Sequence, residues 1–215
     1  MNKNIKTILF DLDGTLINTN QLIIESFMHT FKKYGLHFTH DEIVTFNGPP
    51  LMETFQKIDK ERAEDMIKTY REHNFSHHDE YVTAFPNVLE TIKQLHENNI
   101  SMGIVTTKRK KGVKMGLELT GLADYFNTVI TFDDVTHAKP HPEPVLKAME
   151  ELGGERETTL MIGDNSYDIE AGQNAGVETA GVAWAQRGEA YLKKYNPTYI
   201  LDDMKDLLNI IYAHK

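Results

Sequence analysis

The sequence predicts an α/β fold: a Rossmann-like, doubly wound parallel sheet interrupted by an inserted helical bundle. Two observations predict it. Short β-branched or apolar runs alternate with amphipathic helical patterns along most of the chain, and one long stretch near the N-terminus carries the helical pattern alone. Alternation of this kind puts helices on both faces of a parallel sheet.

The runs expected to form strands are residues 8–10, 101–105, 128–132, 160–162, 179–184 and 199–201. Each is short enough to be a buried strand. The first, Ile8-Leu9-Phe10, stops at Asp11, too soon for a signal-peptide core. Between about Ile17 and Ala84 no strand is expected. One stripe carries Ile23, Phe27, Phe31 and Tyr34; a second carries Leu51, Phe55 and Ile58; a third carries Ala63, Met66, Ile67 and Tyr70. Gly48-Pro49-Pro50 breaks this bundle in the middle. Beyond it, Val88, Leu89, Ile92 and Leu95 share a helix face. Val145, Leu146, Met149 and Leu152 share another, stopped by Gly153-Gly154, and Leu207, Leu208 and Ile211 mark a terminal helix.

Composition narrows the function classes. The 215 residues include 23 Lys plus Arg and 32 Asp plus Glu, a net charge of −9 that argues against nucleic acid and anionic membrane as partners. With 40% hydrophobic and 26% charged residues the chain is ordinary for a folded domain. There is no cysteine, which excludes a disulfide scaffold, a thiol nucleophile and cysteine-ligated zinc, and fits a reducing compartment. No stretch approaches the ~20 apolar residues a membrane helix needs. A cytoplasmic monomer is the expectation.

The chemistry concentrates at strand ends, where open parallel sheets bind ligands. Asp11-Leu12-Asp13-Gly14-Thr15 follows the first strand. Residues two apart in extended chain share a side, so Asp11 and Asp13 can converge, and Gly14 permits the turn. Two close carboxylates repel unless a cation or a shared proton intervenes. Standing alone, the pair would suit an Asx-type turn. A second acidic pair, Asp164 and Asp168, follows residues 160–162; alone it would suit a helix N-cap and a first-turn acid. Together the two pairs suit a hard cation such as Mg²⁺, which takes oxygen ligands and keeps waters to share with phosphate. Thr106-Thr107 ends a third strand, and Lys139 lies in the proline-stiffened loop Ala138-Lys139-Pro140-His141-Pro142.

Asp-x-Asp-Gly-Thr, an apolar strand ending in Thr, Lys-Pro, then Gly-Asp-x-x-x-Asp, in that order over essentially the whole chain, resembles the haloacid dehalogenase superfamily of phosphohydrolases. The helical insertion is similar to the cap of its phosphoglycolate phosphatase and β-phosphoglucomutase branch. Residues 15–20, with Phe46-Asn47-Gly48-Pro49, look most like that branch's inorganic pyrophosphatases. The resemblance implies a core of residues 1–16 and 85–215 and a cap of residues 17–84. It implies Asp11 as the nucleophile, with Mg²⁺ held by Asp11, the Asp13 main-chain carbonyl and Asp164, and Asp168 orienting that shell. Asp13 would protonate the leaving oxygen and later take a proton from water. Thr106 and Lys139 would hold the transferring phosphoryl, with Thr107 and Gly48 beside the substrate. The relatives more often have Asp-Ser at Asn18-Thr19, a departure that touches specificity, and Ser/Thr-Asn at Thr106-Thr107.

Lys108-Arg109-Lys110-Lys111 opens the next helix, where basic side chains oppose the helix dipole. The run suits either a solvated basic turn or a nearby anion, and in the second case Lys108 and Arg109 are the substrate-binding candidates. His77-His78-Asp79 is expected to be solvated, and Trp184 to pack beside its strand. Pyrophosphate is the favoured small phosphorylated substrate. A metabolite phosphatase or phosphomutase is the alternative on the same fold. A phospho-acceptor receiver domain is a distant one, since it is shorter, lacks the insertion and carries its Asp on a later strand. Neither Gly-x-Gly-x-x-Gly nor a Gly-Lys-Ser/Thr loop occurs.

Overall fold

The first strand, β1 (Thr7–Phe10), is buried along its whole length and so must be covered on both sides. Ile8 and Phe10 point into one hydrophobic layer and Leu9 into the other, as the two-residue period of a strand requires. The computed structural model describes residues 5–212. After β1 come β2 (Ile17–Asn18), α1 (Asn20–Lys33), α2 (His40–Val44), α3 (Leu51–Ile58), α4 (Ala63–Ser76), α5 (His78–Tyr81) and β3 (Thr83–Ala84). The chain continues through α6 (Val88–Glu97), β4 (Ser101–Val105), α7 (Lys110–Thr120), β5 (Thr128–Ile130), α8 (Glu143–Leu152) and β6 (Thr159–Gly163). It ends with α9 (Ser166–Ala175), β7 (Glu178–Val182), α10 (Glu189–Leu192), β8 (Tyr199–Leu201) and α11 (Asp206–Tyr212).

The sheet order is β5-β4-β1-β6-β7-β8, and every pairing in it is parallel. Val88, Ile92 and Leu95 of α6, with Val113 and Leu117 of α7, cover the face of Ile8 and Phe10. Val145, Ala148 and Met149 of α8, with Ala171 and Ala175 of α9, cover the face of Leu9 and Met161. The α/β doubly wound expectation is therefore met. β1 lies at the middle of the sheet, so its C-terminal tip is flanked by the tips of β4 and β6.

Residues between β1 and α6 build a separate cluster. Phe27 of α1 is fully buried, with ring centroids 5.6 Å from Phe31, 5.7 Å from Phe46, 5.5 Å from Phe55 and 4.8 Å from Tyr70. Ile43, Ala63, Met66 and Ile67 complete it. The absence of strand expected here needs correcting at the margins. β2 and β3 pair antiparallel, Ile17 with Ala84 and Asn18 with Thr83, so the two chain crossings into the helical unit run side by side.

Other expectations shift locally. The run at 128–132 ends as a strand at Ile130, because the Asp134 carboxylate accepts both the N–H (3.0 Å) and the hydroxyl (2.6 Å) of Thr131 and turns the chain. The 179–184 strand occupies 178–182; Trp184 beyond it packs against the core and donates Nε1–H to Thr15 O at 3.3 Å. Leu89 is 42% exposed, since one residue beyond Val88 is 100° round the helix. The solvated reading of His77-His78-Asp79 fails at His78. Its ring is fully buried, with Nδ1 2.8 Å from the exposed Asp79 carboxylate.

Phe27→Ala removes the ring shared by four aromatic neighbours. It is expected to cost ~3–5 kcal/mol in urea unfolding; a loss below about 1 kcal/mol would contradict its place at the centre of this cluster.

Candidate active site

Three adjacent strand tips carry the three core motifs. Asp11 follows β1, Thr106 follows β4 and Asp164 follows β6. The ladder runs one residue past the strands: Asp11 N–H donates to Ile162 O at 2.8 Å and Thr106 N–H to Ile130 O at 2.9 Å. The side chains thus start from fixed points on a rigid sheet. After Asp11 the chain turns tightly, with Gly14 N–H donating to Ile17 O at 2.9 Å. Gly14 has φ +86°, and a Cβ there would overlap the Asp164 carboxylate. Glycine at that position is what lets the first acidic loop lie against the second.

Lys139 reaches into this group from the loop between β5 and α8. Its Nζ donates to Asp11 Oδ1 at 2.7 Å, Asp168 Oδ1 at 2.5 Å and Val105 O at 2.7 Å. An ammonium has three N–H bonds, so all of them have protein acceptors. Asp168 is equally committed. Its Oδ2 accepts the Asn165 N–H at 3.0 Å and caps α9, while Oδ1 holds Lys139. Asp11, Asp164, Asp168, Lys139 and Thr106 are all buried.

Burial dominates the electrostatics. It pushes the Asp11 carboxyl up to about 7, against the pull of Lys139 and with help from Asp168. Asp164 is likewise raised well above the carboxylate range, by burial first and then by Asp11 and Asp168. Burial opposes the charge on Lys139, yet Asp11 and Asp168 outweigh it and hold its pKa above the ordinary lysine value. One ammonium among three buried carboxylates leaves an excess of negative charge. Oxygens of Asp11, Asp164 and Asp168 lie within 4.8 Å of one another, an all-oxygen donor set that fits a hard divalent cation.

The helical unit closes over these residues. Gly48 O accepts the Thr107 hydroxyl at 3.2 Å, and Asn47 O accepts Asn165 Nδ2–H at 3.1 Å. Gly48 has φ +112°, and a Cβ would stand 2.6 Å from Asn165 Nδ2, so only glycine allows this approach. A small cavity of about 40 Å³ lies among Asp11, Asp13, Thr106, Lys139 and Asp164. Asp13 and Thr107 are shared with a larger one of about 260 Å³ beneath α4.

The basic run is placed differently from a free anion site. Lys108 Nζ lies 2.7 Å from Asp13 Oδ1, Lys110 Nζ 2.6 Å from Asp134 Oδ1, and Arg109 Nε 3.6 Å from Asp133 Oδ1. The anions near it are the chain's own. Sequence reasoning missed Asn165, which ties the helical unit to the core, and Arg71 and Asn74, which line the larger cavity beside Tyr70 of the expected apolar stripe. Helical spacing from Ile67 was the available signal for Arg71 and Asn74.

The family model for haloacid dehalogenase-like hydrolases matches residues 8–182. The chain belongs to this family. Among curated relatives, Pyrophosphatase PpaX of Oceanobacillus iheyensis is 58% identical over 208 residues, 97% of each chain. Pyrophosphatase PpaX of Anoxybacillus flavithermus is 54% identical over 209 residues, again 97% of each. Among solved structures, a haloacid dehalogenase-like hydrolase from Bacteroides fragilis superposes with TM-score 0.88 at 28% identity, covering 94% of this chain and 99% of that one. In this haloacid dehalogenase-like hydrolase, Asp11, Thr106 and Asp164 stand at three adjacent strand tips, and Lys139 joins them from the loop before α8. Among the described residues, no helix is long and apolar enough to cross a membrane.

An acid whose folded pKa lies above its unfolded value of 3.8 loses stability as pH rises towards about 7. In chelator, Asp11→Asn is therefore expected to raise the melting temperature at pH 8 and to raise it less at pH 5, which lies partway between the two values. Equal melting temperatures at pH 8 would contradict the charge excess.

Proposed function

We propose that the protein is a Mg²⁺-dependent phosphohydrolase working through a phosphorylated Asp11, with inorganic pyrophosphate as its preferred substrate. The observation that carries the reading is Asp11 itself: a buried carboxylate anchored by Lys139 at 2.7 Å, beside Asp164, and lining a cavity with Asp13. The similarity to the PpaX pyrophosphatases supports the choice of substrate.

In this reading Asp11 attacks phosphorus and the bond to the leaving oxygen breaks, while Asp13 supplies a proton to that oxygen as needed. Asp13 then takes a proton from the water that attacks the phosphorylated Asp11, releasing phosphate and restoring the carboxylate. Asp11, Asp164 and the Asp13 main-chain carbonyl would hold Mg²⁺, which when bound offsets the carboxylate charge and draws phosphoryl oxygens into line. Asp168 acts by fixing Lys139 and the start of α9. Thr106 and Thr107 offer hydroxyls to the transferring group. Lys139 fixes Asp11 and, having no unused N–H, must share a donor for the phosphoryl to use it. Lys108 is taken as the partner of Asp13, with Arg109 and Gly48 at the mouth of the site.

The same reading assigns residues 1–16 and 85–215 to a core and 17–84 to a cap that excludes water. The paired β2 and β3 and the separate aromatic cluster support it. A monomer belongs to the same reading. The net charge of −9 and the lack of cysteine support a cytoplasmic enzyme without nucleic-acid or membrane partners. The second reading, a phosphatase of a small metabolite ester, is favoured by the apolar walls of the larger cavity, including Ile23, Phe27 and Phe75.

Phosphate release with Mg²⁺ is expected to give a higher kcat/KM for pyrophosphate than for phosphoglycolate or glucose phosphates. A metabolite ester outperforming pyrophosphate would favour the second reading. Chelator is expected to abolish turnover and Mg²⁺ to restore it; full activity in chelator would remove the metal. Asp11→Asn is expected to abolish turnover, and activity within about tenfold of wild type would contradict its role.

A further inference from the structure

One face of α4 looks into the larger cavity. Ile67, Tyr70, Arg71 and Asn74, at positions three, four and seven apart, all line it. Opposite them the core presents Asp13, Thr107, Lys108 and Arg109. Three cations therefore share the cavity with two carboxylates, Asp13 and Glu64, and with apolar walls such as Ile23, Phe27 and Phe75; two of the cations have protein partners. Lys108 is bound to Asp13 at 2.7 Å. Arg109 lies 3.6 Å from Asp133 and over the Phe132 ring at 5.6 Å.

Arg71 is different. Among the described residues it forms neither a hydrogen bond nor an ion pair, and the charges near it are Arg109 and Asp133. Burial, then the like charge of Arg109, lower its pKa from the ordinary arginine value, with Asp133 opposing them. A guanidinium held half-buried beside another cation is unfavourable unless an anion completes the site. Its neighbour Tyr70 is buried and within electrostatic reach of Asp13, and both line the same cavity, so this turn of α4 faces the side of that cavity that Asp13 borders.

We propose that Arg71, assisted by Arg109, is the specificity residue that binds the distal phosphate of pyrophosphate, the half that leaves. The proposal rests on the pyrophosphate reading. The planar fork of Arg71 can take two oxygens of that phosphate at once, a geometry an ammonium lacks. Lys108, whose ammonium Asp13 already holds, has the lesser part. Because Arg71 belongs to the helical unit, the distal phosphate also ties that unit to the core, and a monophosphate leaves the guanidinium unpaired.

The test compares wild type, Arg71→Gln and Arg71→Lys, with Mg²⁺, on pyrophosphate and on a small aryl monophosphate. Gln keeps the apolar stem and Lys keeps the charge, so two folded variants report separately on the fork. The ratio of kcat/KM for pyrophosphate to that for the monophosphate is expected to fall at least about tenfold in Arg71→Gln, and to recover in part in Arg71→Lys. Calorimetry with methylenediphosphonate and methylphosphonate is expected to show tighter diphosphonate binding in wild type and a collapsed gap in Arg71→Gln. A wild type that prefers pyrophosphate, with a ratio in Arg71→Gln within about twofold of it, would overturn the assignment of Arg71 alone. A wild type without that preference would overturn the pyrophosphate reading and this inference with it.

Discussion

The Lys139 ammonium is the interaction on which the rest of the site depends. Three carboxylates, Asp11, Asp164 and Asp168, are buried at the C-terminal edge of one sheet. Burying charges without compensation is costly, and a single cation bonded to two of them and to Val105 O holds the group together. Parallel topology makes the crowding possible. β4, β1 and β6 are neighbours, so residues distant in sequence end at the same edge. Lys139 offsets only part of the negative charge, and the remainder is an electrostatic demand for a further cation. That demand ties folding and chemistry to the same residues: the arrangement that costs stability in the free protein is the one suited to a divalent ion and phosphate.

The helical unit encloses the site. It meets the core through a paired two-strand crossing and through the loop around Gly48, whose carbonyl accepts from Thr107 while Asn47 accepts from Asn165. The result is two connected spaces of unlike character. The smaller is lined by carboxylates and Lys139; the larger has apolar walls, Asp13 at its boundary and arginines from both sides. In the proposed reading the first handles the transferring phosphoryl group, which is common to all substrates, and the second handles what distinguishes them.

Residues at strand tips were legible in the sequence because local pattern and chemistry coincide there. Ile8–Phe10 must stop at Asp11, Leu160–Ile162 must stop before Asp164, and an isolated Lys-Pro loop leaves one cation for both. The apolar stripes of the helical unit were legible for the same reason: Phe27, Phe31, Phe55, Met66 and Tyr70 all enter one cluster. What the pattern could not carry was pairing between distant polar groups. Lys108 to Asp13 spans 95 positions and Asn165 to Asn47 spans 118, and no periodicity encodes either. The basic run left a solvated turn and a nearby anion both open, because Asp133 and Asp134, which lie beside it in space, come a helix and a strand later in the chain. His78 misled for the converse reason: a polar triplet reads as solvated, yet one of its members is fully buried beside Gly116 of α7.

In the proposed mechanism the transferred phosphoryl group passes through Asp11. Mixing the enzyme with labelled pyrophosphate and Mg²⁺, quenching in acid within the first turnover and mapping the label by peptide mass spectrometry tests it directly. A hydroxylamine-sensitive phosphoryl group on Asp11 is the result predicted. A label on Asp13, or turnover with no covalent label at any quench time, would contradict it.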